Sequence, residues 1–154
     1  MIQRIQSIYL LFVVLLAGFS FYLPTATLTA AENATYLISH KGIYLIQATE
    51  QVFQSPVWGI TIFALLVPVI ALITVFLFKN RKLQIKLIYV NIACILMYYA
   101  SVAAYVITAA QRLQADWTLH FGVIIPLVCL ILLILAISAI KKDEMLVKSL
   151  DRLR

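Results

Sequence analysis

The chain has 154 residues, 64% of them hydrophobic and 12% charged, with a net charge of +6 and a mean hydropathy of +1.04. That make-up excludes a soluble domain of ordinary composition and reads as one membrane domain over residues 1–154. The two cysteines form no Cys-x-x-Cys pair, which argues against a quinone-linked thiol oxidase.

Taken in order, four stretches, at about 5–24, 57–78, 87–110 and 119–140, contain no Asp, Glu, Lys or Arg. A bilayer core of roughly 30 Å needs about 20 apolar residues in helical form. The expected fold class is therefore all-α, a bundle of four transmembrane helices. The first stretch also reads as a secretory signal with a cleavage site at Leu28-Thr29-Ala30, but Arg4 is the only charge ahead of it, so it is expected to be retained as a span.

An outer loop of 25–56 follows. Within it Thr35-Tyr36-Leu37-Ile38 and Ile43-Tyr44-Leu45-Ile46 are β-branched and aromatic runs on either side of Ser39-His40-Lys41-Gly42, the pattern of a small β-hairpin. An irregular or partly helical loop is the competing reading. A lone hairpin is marginal in water and would have to lean on helix ends or on a partner.

The second and third spans are joined by a tight turn bearing Lys79, Asn80, Arg81, Lys82 and Lys86, which makes them antiparallel neighbours. A second short outer turn, 111–118, places Trp117 where indole rings prefer to sit, and Trp58 holds the same level on the second span. Beyond residue 140 the tail 141–154 turns polar, yet Leu146, Leu150 and Leu153 recur at helical spacing. It reads as a cytoplasmic helix that continues the fourth span or lies along the headgroups, with a solvated extension as the plainer alternative.

Basic residues set the orientation. With both termini inside, Arg4, Lys79, Arg81, Lys82, Lys86, Lys141, Lys142, Lys148, Arg152 and Arg154 are cytoplasmic and only Lys41 and Arg112 are outside, a ratio of ten to two. The positive charge is thus a topology signal, and nucleic acid is not an expected partner.

No ionisable Asp, Glu, Lys or Arg lies within a span to mark an ion path. The intramembrane polar candidates are Asn91, which should face the bundle, and His120 at the outer edge of the fourth span, with Asp116 one helical turn earlier. His40, Glu32 and Glu50 could meet His120 around a metal, but their spacing is not that of a metal motif. Ala93, Met97, Ala100 and Ala104 form a stripe of mostly small residues suited to close helix approach. Pro68 and Pro126 predict kinks within the second and fourth spans. No cofactor, metal or catalytic set is expected.

Residues 1–7 (Met-Ile-Gln-Arg-Ile-Gln-Ser), 78–86 (Phe-Lys-Asn-Arg-Lys-Leu-Gln-Ile-Lys) and 139–154, beginning Ala-Ile-Lys-Lys-Asp-Glu and ending Asp-Arg-Leu-Arg, together resemble a family of four-span membrane proteins of Bacteroidota defined by a domain of unknown function. The resemblance runs the length of the chain, apart from the outer loop. It implies a bacterial inner-membrane location with a periplasmic loop, and it carries no activity.

These observations lead to a noncatalytic accessory or scaffold subunit. Its basic cytoplasmic face, Lys79, Asn80, Arg81, Lys82, Lys86, Lys141, Lys142, Lys148 and Arg152, docks a protein partner, a second copy of the chain or anionic lipid headgroups. The alternative is a small-molecule or lipid carrier with a cavity near Pro68, Asn91 and Pro126. An enzyme acting through His120 and Asp116 is the third reading.

Overall fold

The computed structural model describes residues 5–30, 34–47, 50–77 and 80–151, with Gln47 and 146–151 described by their backbone alone. Four helices appear, α1 (Ile5–Ser20), α2 (Trp58–Phe76), α3 (Arg81–Leu113) and α4 (Ile124–Asp151), the last preceded by a 3-10 turn at Phe121–Val123. Five strands accompany them: β1 (Ala26–Thr29), β2 (Thr35–Ser39), β3 (Gly42–Gln47), β4 (Glu50–Ser55) and β5 (Asp116–Leu119).

The helices turn one stripe inward at the 3–4 residue interval. Leu10, Val13 and Ala17 of α1, Val67 and Ala71 of α2, Ile88 and Ile95 of α3, and Cys129, Leu133, Ala136 and Ile140 of α4 meet in a shared core. Their other faces are just as apolar, with Leu15, Leu65, Leu96 and Ile131 at least half exposed. A helix hydrophobic all round needs an apolar surrounding on the faces its neighbours leave bare. Three helices are long and apolar enough to cross a membrane, over Trp58–Phe76, Arg81–Leu113 and Phe121–Met145, while α1 is shorter.

The all-α expectation is corrected. The hairpin Ser39–Gly42 exists, with Ile38 opposite Ile43 and Thr35 opposite Ile46, but it is the middle of a five-stranded antiparallel sheet in the order β4-β3-β2-β1-β5. Strand β1 pairs with β2, Ala26 opposite Ile38, and also with β5, Ala26 opposite Leu119 and Thr29 opposite Asp116. Both edges of the hairpin are thus covered, by β1 and β4, and the outer edge of β1 is met by β5 from a separate loop, which removes the weakness of an isolated hairpin.

The tail continues the fourth stretch as helix, the first of the two helical placements expected, since α4 runs unbroken to Asp151. Two further features differ. Pro126 falls in the first turn of α4, where its missing N–H costs no intrahelical bond, so it starts a helix instead of kinking one. The small-residue stripe Ala93, Met97, Ala100 and Ala104 is exposed, and α3 packs instead through Ile88, Asn91, Ile95, Tyr98 and Val102.

Helix α3, at 33 residues, extends about 50 Å, well beyond its neighbour α2 at 19 residues. Asn91 Nδ2 donates to the Val67 carbonyl at 3.2 Å, and Gln84 Nε2 to the Thr74 carbonyl at 3.2 Å. A Cβ on Gly59 would come within 3.3 Å of Ser101 and Tyr105. This antiparallel register leaves the last two turns of α3 projecting past the start of α2. The sheet packs there, through a second core of Ala26, Leu28, Ile38, Val57, Ile60, Tyr98, Val102 and Val106.

Candidate functional site

The chain has two ends of opposite character. At the end away from the sheet, Arg81, Lys82 and Lys86 occupy the first turns of α3, and Lys141 and Lys142 lie on α4. Lys82, Lys86, Lys141 and Lys142 are exposed, as is Asn80 just before α3. None of these cations has an ion-pair partner among the described residues. Lys79 and Arg152 lie outside the described residues, and Lys148 is placed on α4 by its backbone alone. The antiparallel helices thereby bring the basic turn and the α4 extension, far apart in sequence, to one end.

Asn91 is buried at the contact between α2 and α3. Its Oδ1, like Oε1 of Gln6 and of Gln84, has no hydrogen-bond partner among the described residues. His120 sits at the opposite end, where its Nε2 is hydrogen-bonded to the Thr27 hydroxyl and its backbone N–H donates to the Thr25 carbonyl at 3.0 Å. Asp116 is not one helical turn from it. The intervening residues form β5, and four residues of strand separate the two by about 13 Å. Among the described residues no group of three or more His, Cys, Asp or Glu side chains could hold a metal ion. Glu32 lies outside the described residues.

Sequence reasoning missed the junction between sheet and helices. His40, in the β2–β3 turn, is fully buried. Its Nε2 lies 3.1 Å from the Tyr98 hydroxyl, its ring is stacked on that of Tyr98 at 5.8 Å, and Phe21 closes the other side at 5.2 Å. The His40 carbonyl accepts a 2.6 Å bond from the Thr61 hydroxyl. Burial pushes the imidazole below its ordinary value, partly opposed by the backbone of Leu23. A turn histidine followed by Lys-Gly reads from sequence as solvent-facing; only the packing of the sheet onto α3 reverses that.

Between the sheet and the projecting end of α3 lies an open cleft of about 570 Å³. Tyr36, Ile43, Gln54 and Ser55 form its sheet side, and Tyr105, Thr108 and Arg112 are on its helix side. A smaller cleft of about 340 Å³ opens beside Tyr22, Leu37, Tyr44 and Lys41. Within the helices, around Ala17, Val67, Tyr98, Pro126 and Cys129, the free volume is about 10 Å³, at the limit for a single water. Of the three residues near which the carrier reading puts its cavity, Pro126 lines this space.

A comparison with curated proteins finds no match. The chain belongs to the family defined by a domain of unknown function, DUF4293, whose model matches residues 2–153.

Proposed function

We propose that this DUF4293 protein is a multi-pass protein of the bacterial inner membrane, both termini cytoplasmic, that serves as a noncatalytic accessory or scaffold subunit and docks an acidic partner surface through its basic end. The observation that carries the reading is the segregation of charge along the helices. Arg81, Lys82, Lys86, Lys141 and Lys142 lie at one end, while Lys41 is in a turn of the sheet and Arg112 is in the last turn of α3. Basic residues are retained on the cytoplasmic side, so the sheet faces outward. In this reading α1 is the fourth span; its 16 residues cover about 24 Å, and the apolar turn of Phe21, Tyr22 and Leu23 makes up the rest.

Topology alone needs positive charge at that end. Five cations gathered from two helix ends, against Asp143 and Glu144 on the same stretch of α4, leave a net positive charge among the described residues that favours an acidic occupant. Anionic headgroups compete for the same charges at about 1 kcal/mol each near the surface.

The test is purification of the tagged protein from its own membranes in mild detergent, comparing the native chain with the Arg81→Glu/Lys82→Glu variant. A stoichiometric partner lost from the variant, with carbonate-resistant membrane insertion unchanged, supports the docking role. Equal recovery from both proteins overturns it. A cytoplasm-dependent reporter fused after Arg154 reads the orientation independently.

A further inference from the structure

We propose that the cleft between the sheet and the projecting end of α3 binds a single-chain amphiphile with an anionic head, its tail lying along the apolar wall and its carboxylate or phosphate monoester on Arg112. At about 570 Å³ the cleft falls within the range of small-ligand sites, roughly 300–1,000 Å³, and suits one acyl chain better than a whole two-chain lipid.

Its polarity is graded along α3. Tyr105 stands level with the first turn of α2, since a Cβ on Gly59 would contact both Ser101 and Tyr105. Trp58, which opens that turn, is 67% exposed, as an indole at the membrane interface is. From Tyr105 the helix rises past Thr108 to Arg112, about 10 Å further from that interface. The α3 wall begins with Ala104 beside Tyr105, Ile43 and Pro56 add apolar surface to the same cleft, and Arg112 is the only charged residue among the described residues that line it. An amphiphile entering sideways from the outer leaflet would meet apolar surface first and a cation at headgroup height.

The polar groups of the cleft are also unspent. Arg112 has no hydrogen bond or ion pair among the described residues, and neither do the side chains of Gln54, Ser55, Thr108, Tyr36 and Tyr105. A guanidinium presents a planar fork of donors that matches a carboxylate or a phosphate oxygen pair. Neighbouring hydroxyl and amide groups supply further donors to an anionic head.

The site rests on the membrane placement proposed above, and one experiment separates the two. The full chain is reconstituted into nanodiscs of zwitterionic phospholipid and exposed to a diazirine-bearing long-chain fatty acid, with crosslinks mapped by mass spectrometry. Failure to reconstitute as an inserted protein refutes the placement, and with it a site fed from the bilayer. In an inserted protein, the site predicts saturable labelling of 104–113 and 54–56 that unlabelled palmitate displaces. Arg112→Gln should weaken it about tenfold, the worth of one charged hydrogen bond, with Arg112→Lys intermediate. Stronger displacement by a lysophosphatidate than by palmitate assigns the head to a phosphate monoester; the reverse assigns a carboxylate. Labelling spread evenly over the apolar helices in proportion to probe, labelling unchanged by Arg112→Gln, or equal displacement by the uncharged alcohol of the same length would each overturn the proposal.

Discussion

The Tyr98 hydroxyl lies 3.1 Å from Nε2 of His40, so a residue midway along the longest helix is tied to the tip of a hairpin 58 positions away in sequence. The bond ties the hairpin tip to the core beneath the sheet. Tyr98 packs beneath the sheet, and the hairpin tip is further held by the Thr61 hydroxyl. Nδ1 of His40 is buried with only the Leu23 backbone near it and no well-formed hydrogen bond among the described residues, which leaves the Tyr98 contact as the ring's principal polar satisfaction.

Removing that contact should be costly. Tyr98→Phe leaves a buried Nε2 unpaired and is expected to destabilise the protein by about 1–3 kcal/mol, the penalty for orphaning a buried polar group. Thermal unfolding in detergent, followed by loss of β-sheet signal, measures it; an unchanged midpoint would refute the structural role.

The same imidazole makes stability pH-dependent. Burial favours its neutral form, so its folded value lies below the ordinary 6.5. The unfolded chain then binds the proton more readily, and the stabilisation is complete above the unfolded value and lost as pH falls through about 6.5 towards the folded value. Unfolding midpoints at pH 7.5 and 5.0 should differ for the native protein. The difference should shrink in His40→Gln, which does not titrate.

Gly122 is needed for a close approach. A Cβ there would run into the carbonyl of Pro24, and backbone cannot swing away as a side chain can. Gly122→Ala is expected to cost about 1–3 kcal/mol through overpacking, whereas Gly18→Ala, where a Cβ meets nothing within 4 Å, should be neutral or mildly stabilising through the better helix propensity of alanine. Parallel measurements of the two variants make the comparison.

Thr27 and Thr118 are direct partners across β1 and β5, a spacing of about 4.5–5.5 Å between Cα atoms that suits a disulfide. Thr27→Cys with Thr118→Cys should crosslink on mild oxidation, so that after proteolysis between the strands the two fragments stay joined on a non-reducing gel and separate on a reducing one. Crosslinking with Leu119→Cys in place of Thr118→Cys should be weaker, since a one-residue slip turns the side chain to the other face.

Asn91→Leu should change stability by less than about 1 kcal/mol. It removes the bond to the Val67 carbonyl, but it also removes an Oδ1 that has no partner among the described residues, and measured interhelical polar contacts in lipid average only about 0.6 kcal/mol. A large loss would indicate an additional partner for that oxygen.

What could be read from the sequence follows from how locally each signal is written. The stretches of α2 and α4 are long and free of charge, and the hairpin announces itself through two β-branched runs about a glycine. By contrast β1 and β5 are four residues each, too short to show a period, and β5 carries Trp117, which reads equally well as an interfacial anchor. The full length of α3 was hidden because Arg81, Lys82, Lys86 and Arg112 end the apolar run before they end the helix. Stripe and kink failed for related reasons: small residues at helical spacing do not say which neighbour they face, and Pro126 marks a kink or a start depending on a boundary the apolar run conceals. The cleft was illegible because Tyr36, Ser55 and Arg112 come together only once two separate loops share a sheet.

That shared sheet sets an order on assembly. Strands β1 to β4 are all synthesised before α2, but β5 comes after α3, so two helices separate it from the nearest earlier strand. Until α3 and the turn beyond it have been made, the hydrogen-bonding edge of β1 stands open to β5. Closing that edge fixes the end of α3 and the beginning of α4 in one act, so the completed sheet ties the last two helices to a segment laid down before either of them.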